Sequence, residues 1–192
     1  MNVLPKNVGW IEVICGPMFS GKTEELIRRL KRAAIGQQRV QIFKPGLDKR
    51  YGEGQIVSHS EQRLDSTAVE DAAEILAKLH AGTQVVGIDE VQFLGAGAVP
   101  ICETLADRGL RVIVAGLDQD YRGVPFDPIP QLLAVAEYIT KELAVCVVCG
   151  NPAHRSQRIV ADGRRILVGA KGDYEARCRA CFRPEAAAAE SG

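Results

Sequence analysis

The octapeptide Gly16-Pro17-Met18-Phe19-Ser20-Gly21-Lys22-Thr23 has the spacing G-x-x-x-x-G-K-[ST]. Glycine at both ends lets such a loop curl until successive backbone N–H groups point inward, and the helix that follows adds its positive end. The result is a cradle for phosphate oxygens, in which Lys22 reaches the outer phosphates and the Thr23 hydroxyl is a ligand for Mg²⁺. A second chemical pair, Asp89-Glu90, follows the apolar run Val85-Val86-Gly87-Ile88. Ligands collect beyond the carboxyl ends of strands in open α/β sheets. That places Asp89 to hold the Mg²⁺ water shell and leaves Glu90 to take a proton. Together the two segments predict phosphoryl chemistry on a nucleoside triphosphate. The chain lacks an N-K-x-D element, so guanine specificity of the GTPase type is unsupported.

Cys146-Val-Val-Cys149 and Cys178-Arg-Ala-Cys181 form two C-x₂-C pairs separated by 28 residues. Four soft thiolates can close a tetrahedral Zn²⁺ site, and a closed site leaves no position for substrate, so this zinc is read as structural. Gly150 lets the chain turn tightly around a metal-bound sulfur. The interval leaves room for two strands, 157–161 and 165–168, joined at Asp162-Gly163. A segment of about 40 residues buries too little core to fold unaided, and a metal would supply the missing stability. Cys15 and Cys102 are expected to be small buried residues, and His154 a surface one.

The elements that must carry these groups are legible in part. Residues 10–15 read as a buried strand ending at Gly16, and 21–35 as a helix with Leu26, Ile27, Leu30, Ala33 and Ala34 on one face and Gly36 as its stop. The cluster Arg28, Arg29, Lys31, Arg32 is read as a solvated helix face. Residues 40–43, 84–88 and 111–115 read as strands and 69–80 and 98–108 as helices, with a long polar loop from Pro45 to about Thr67. Alternating helices and continuously apolar strands predict an α/β fold with a parallel sheet covered on both faces. The expected organisation is a nucleotide-binding unit at 1–143, a zinc-ribbon unit at 144–184 and a frayed tail at 185–192. The chain has 24 basic and 24 acidic residues, a zero balance that argues against gripping a phosphate backbone as the main task. It holds no run of eighteen apolar residues and no signal-peptide pattern at the start, which together predict a cytoplasmic protein away from membranes.

GPMFSGKT at 16–23, KPGLDKRY at 44–51, IDEVQFL at 88–94, AGLDQDYRGVPF at 115–126, the four cysteines and GDYEARC at 172–178 resemble the zinc-containing cytosolic (type II) thymidine kinase family. The similarity runs from Val8 to Cys181. The resemblance implies a P-loop (RecA-like) sheet plus a small zinc ribbon, and ATP-dependent phosphorylation of the thymidine 5′-hydroxyl with Glu90 as general base. It implies that Arg50 neutralises charge on the transferred group, that Asp48 helps orient the Mg²⁺ shell, and that Gln92 belongs with the ATP and Mg²⁺ set. A pyrimidine pocket would use Met18, Phe93 and Tyr121. A lasso of Leu167, Val168, Gly169, Ala170, Lys171 and Gly172 would read the thymine edge through its backbone, with Tyr174 closing the side. The family also implies a homotetramer and feedback inhibition by dTTP.

A second reading is a DNA-dependent ATPase of RecA-like build whose ribbon grips DNA. Its support is the arginine content of the ribbon segment: Arg155, Arg158, Arg164, Arg165, Arg177, Arg179 and Arg183. Scarce aromatics there, Tyr174 and Phe182, weigh against it. A zinc scaffold that binds ATP without turnover is weakened by the intact Lys22, Asp89 and Glu90.

Overall fold

The computed structural model describes residues 8–46, 55–57, 63–160 and 172–184. In chain order the first elements are β1 (Trp10–Gly16), α1 (Lys22–Ile35), β2 (Val40–Pro45), β3 (Gln55–Val57), β4 (Arg63–Asp65), β5 (Thr67–Val69) and α2 (Ala73–Ala77). Next come β6 (Val85–Ile88), a 3-10 segment (Val91–Gly97), α3 (Ala98–Asp107), β7 (Arg111–Leu117), α4 (Ile129–Val135) and β8 (Tyr138–Lys141). Four short strands close the described chain: β9 (Ala144–Val145), β10 (Pro152–Ala153), β11 (Arg155–Arg158) and β12 (Tyr174–Arg177).

Six strands form one parallel sheet in the order β5-β2-β6-β7-β1-β8. Alternate residues feed two separate cores, as the pleat requires. Ile14, Ile42, Val85, Ile113 and Ala115 pack against Leu26, Ile27, Leu30 and Ala33 of α1. Val13, Phe43, Val86, Ile88, Val112 and Val114 face the other side, against Ile75, Ala98, Cys102, Leu105, Ile129 and Leu132. This is the predicted sheet, apolar on both faces and covered on both. Its order sets β6, β7 and β1 side by side, so their carboxyl ends bring Asp89, the residues after Leu117 and the Gly16 turn to one edge.

Several elements differ from expectation. The stretch read as loop contains the antiparallel pair β3–β4 and ends at β5, which pairs with β2 through Phe43–Thr67, Lys44–Ala68 and Pro45–Val69, so β2 runs on to Pro45. Val69 therefore ends a strand rather than starting a helix. Helix α2 is only five residues long. Asp71 Oδ1 accepts the Glu74 N–H at 3.1 Å near its start. At its end the buried Gln41 amide takes the Lys78 carbonyl at 2.8 Å and the His80 N–H at 2.9 Å. A side chain from β2 thus satisfies backbone groups that would otherwise continue the turn. The chain between Leu117 and Ala144 also holds α4 and the edge strand β8, neither of which was read. Strand β11 pairs antiparallel with β12, from Arg155–Arg177 to Arg158–Tyr174. The second expected strand, 165–168, lies outside the described residues. The predicted turn at Asp162-Gly163 lies outside the described residues.

Arg29 corrects the reading of α1 as having a solvated basic face, because its side chain is only 14% exposed. It donates to Glu12 Oε2 at 2.7 Å, to Glu25 at 2.7 Å and to Thr140 Oγ1 at 2.7 Å. Glu12 Oε1 also receives Arg111 Nε at 2.6 Å and Trp10 Nε1 at 2.8 Å. Burial alone would raise the Glu12 carboxyl, but the bonds from Arg111, Trp10 and Arg29 outweigh it and hold the group below its ordinary value of 4.5. A carboxylate depressed in the fold adds stability above the unfolded value and loses it as pH falls through the folded one. Glu12→Gln is therefore expected to cost about 3 kcal/mol at pH 7, as breaking one side of a buried ion pair does. The gap between variant and wild type should close as pH drops below 4.5, measured by urea unfolding. A gap independent of pH would remove the charge from the explanation.

Candidate active site

The octapeptide forms the turn between β1 and α1. Gly16 takes φ 149°, and a Cβ there would lie 2.3 Å from the Glu142 carbonyl oxygen, so only glycine fits beside the chain leaving β8. Phe19 and Gly21 adopt left-handed backbone, φ 64° and 86°, which curls the loop. Ser20 Oγ donates to the Pro17 carbonyl at 2.8 Å, and Lys22 Nζ donates to the same oxygen at 2.6 Å. Helix α1 opens at Lys22, so its first N–H groups face the loop.

Asp89 is buried at the end of β6, and the Thr23 hydroxyl donates to its Oδ2 at 3.2 Å. Burial, then the charge of Glu90, pushes the Asp89 carboxyl up to about 7, against the opposing pull of the Glu90 N–H and Thr23. Two hard oxygen groups from separate elements therefore meet at the mouth of the loop. That donor set fits Mg²⁺, with Thr23 and Asp89 as the residues that would hold it. Glu90 adopts left-handed backbone at φ 49° and ψ 40°, a conformation costing a glutamate on the order of 1–3 kcal/mol and typical of functional sites. Its Oε2 receives Gln92 Nε2 at 2.5 Å, and Gln92 Oε1 accepts the Leu117 N–H at 3.1 Å. A Cβ at Gly116 would sit 2.7 Å from Gln92 Oε1, so the glycine in β7 makes room for this side chain.

Around this centre lies an aromatic group. Phe93 and Phe126 meet edge to face with centroids 6.3 Å apart. Arg158, 2% exposed, lies 3.7 Å from the Tyr121 ring centroid and donates to the Tyr174 hydroxyl at 2.8 Å. The guanidinium thus joins the turn after β7 to the strand before Cys178. Met18 N–H donates to Ser156 Oγ at 3.0 Å, which ties the phosphate loop directly to β11.

The four cysteines converge: their Sγ atoms all lie within 4.8 Å of one another. Cys149 is 3.6 Å from Cys178 and 3.5 Å from Cys181. The edge of a Zn–S₄ tetrahedron with bonds of about 2.3 Å is about 3.8 Å, so the cluster fits Zn²⁺. Burial would raise the Cys146 thiol, but backbone N–H groups of Cys178, Val148 and Cys149 bring it down to about 6, towards the thiolate a metal needs. His154 is half-buried and stands outside the cluster. Cys15 and Cys102 are buried, and burial pushes their thiols up to about 11 and about 12.

A family model described as thymidine kinase matches residues 9–182. The chain belongs to the thymidine kinase family. A protein named Thymidine kinase from Rhodothermus sp. (strain ITI 518) is 58% identical over 178 residues, 93% of this chain and 83% of that protein. One of the same name from Bdellovibrio bacteriovorus is 57% identical over 177 residues, 92% of this chain and 87% of that protein. Domain III of the Thermotoga maritima replication initiation protein DnaA aligns with a TM-score of 0.43 at 16% identity, over 69% of this chain and 54% of that one. A likeness of that size carries no argument.

For a thymidine kinase family member, the structure brings together Gly16 to Thr23, Asp89, Glu90 and Gln92 at one sheet edge, with Phe93, Tyr121, Gly172 and Tyr174 on the elements that follow. Asp48, Arg50 and the lasso residues Leu167, Val168, Gly169, Ala170 and Lys171 lie outside the described residues. The described chain on either side of residues 161–171 is tied together: Ile159 N–H donates to the Asp173 carbonyl at 3.0 Å beside the Arg158–Tyr174 pair. Sequence reasoning missed Ser156 and Arg158. Ser156 carries no local signal, and Arg158 read as one more surface cation of an arginine-rich stretch. Among the described residues no helix is long and apolar enough to cross a membrane.

Proposed function

We propose that this kinase transfers the γ-phosphoryl group of ATP to the 5′-hydroxyl of thymidine, giving ADP and dTMP. The observation that carries the reading is the junction of Thr23, Asp89, Glu90 and Gln92 at the mouth of the phosphate loop. The loop N–H groups and Lys22 bind the phosphates. Mg²⁺, held by Thr23 and Asp89, would neutralise charge on the phosphate oxygens. Glu90 accepts the 5′-hydroxyl proton as the oxygen attacks phosphorus, the new O–P bond forming while the bond to the ADP oxygen breaks. Arg50 and Asp48, by the family resemblance, attend the transferred group and the Mg²⁺ shell.

The thymine ring would lie among Met18, Phe93, Tyr121 and Tyr174, read along its edge by the 167–172 backbone. Zn²⁺ on Cys146, Cys149, Cys178 and Cys181 would pin the ends of that loop. The resemblance also supports a cytoplasmic homotetramer subject to feedback by dTTP. Against a DNA groove, four of the ribbon arginines among the described residues bond to other groups of the chain. Arg155 bonds Gln119 and the Gly123 carbonyl, Arg158 bonds Tyr174, Arg177 pairs with Glu175, and Arg183 bonds the carbonyls of Ala180 and Phe182. ADP release should rise with thymidine and stay at its basal rate with single-stranded DNA. Stimulation by DNA and not by thymidine would reverse the assignment.

A further inference from the structure

Gln92 is 3% exposed, and both ends of its amide are committed. The Leu117 N–H can only donate, so it fixes Oε1 towards β7 and turns the Nε2 donor towards Glu90. Satisfying Leu117 needs an acceptor alone, and a glutamate would do that as well. The donor contact to Glu90 is a separate commitment, made to a residue whose own backbone is already held in left-handed geometry. Gly116 in turn is the position that leaves space for the amide.

We infer that Gln92 is a positioning residue for phosphoryl transfer, anchored on β7 and holding the Glu90 carboxylate in its proton-accepting pose. The inference rests on Glu90 being the base. A misplacement of about 1 Å at such a group costs about 10²-fold, which sets the scale of the loss.

The test is a double-mutant cycle on the full chain with ATP and thymidine. Gln92→Glu keeps the acceptor for Leu117 and removes the donor; Gln92→Met removes both at similar volume. Each should lower kcat about 10- to 100-fold with both KM values within about 3-fold. In a Glu90→Gln background, Gln92→Met should cost no more than about 2-fold further, because its effect runs through Glu90. Near-normal kcat for Gln92→Glu, or an equal loss from Gln92→Met in both backgrounds, would overturn the inference while leaving Glu90 as base. Near-normal turnover of Glu90→Gln by itself would instead remove the base, and this role with it.

Discussion

Glu90→Gln is expected to lower kcat by about 10²- to 10⁴-fold and to leave ATP affinity near its wild-type value, as the removal of the proposed general base would. The substitution keeps the volume and the acceptor oxygen that Gln92 Nε2 approaches at 2.5 Å, so the local packing has no reason to change. What is lost is basicity. The nucleoside alcohol is a poor nucleophile, and its proton must leave as the bond to phosphorus forms. On the proposed reading ATP binds the loop from Gly16 to Thr23, which the change does not touch. Single-turnover measurement of phosphoryl transfer, with ATP affinity by calorimetry, separates the two quantities. Turnover within a few-fold of wild type would remove Glu90 from the base role.

Cys146→Ser is expected to abolish stoichiometric zinc and to disorder the ribbon while the six-stranded sheet remains. The ribbon strands are two to four residues long, and two of the five residues in their apolar cluster, Cys146 and Cys178 beside Ala144, Ala153 and Ala176, are themselves candidate ligands. Zinc contributes about 10–16 kcal/mol of apparent binding energy in small thiolate domains, far more than so small a core. Loss of the ribbon removes the Arg158–Tyr174 bond and both ends of the 160–172 segment, so kcat/KM for thymidine should fall at least about 100-fold. ATP affinity should change much less. Elemental analysis and limited proteolysis between residues 144 and 184 give the readout. Full zinc content in the variant would show the ligand set to be wrong.

What the sequence made legible is what local pattern encodes. The glycine turn, the run into Asp89, the amphipathic face of α1 and the paired cysteines each need fewer than fifteen neighbouring residues to recognise. Strands β5 and β8 escaped because, among the described residues, both are edges of three and four residues with a hydrogen-bonded neighbour on one side. Apart from the buried Val69, their residues are half-buried or exposed, so no continuous apolar run marks them. Arg29 escaped because its burial is created by Glu12 and Thr140, partners 17 and 111 residues away. Gln92 fell inside a recognised segment, yet its task depends on a backbone N–H in another strand. Asp48, Arg50 and residues 167–171 rest on the family resemblance alone.

The hydrogen bond from Met18 to Ser156 has a mechanical consequence. One amide of the glycine turn is fastened to a hydroxyl of β11, a strand 138 residues further along the chain. Neither segment can shift at that point without breaking this bond or carrying the other with it.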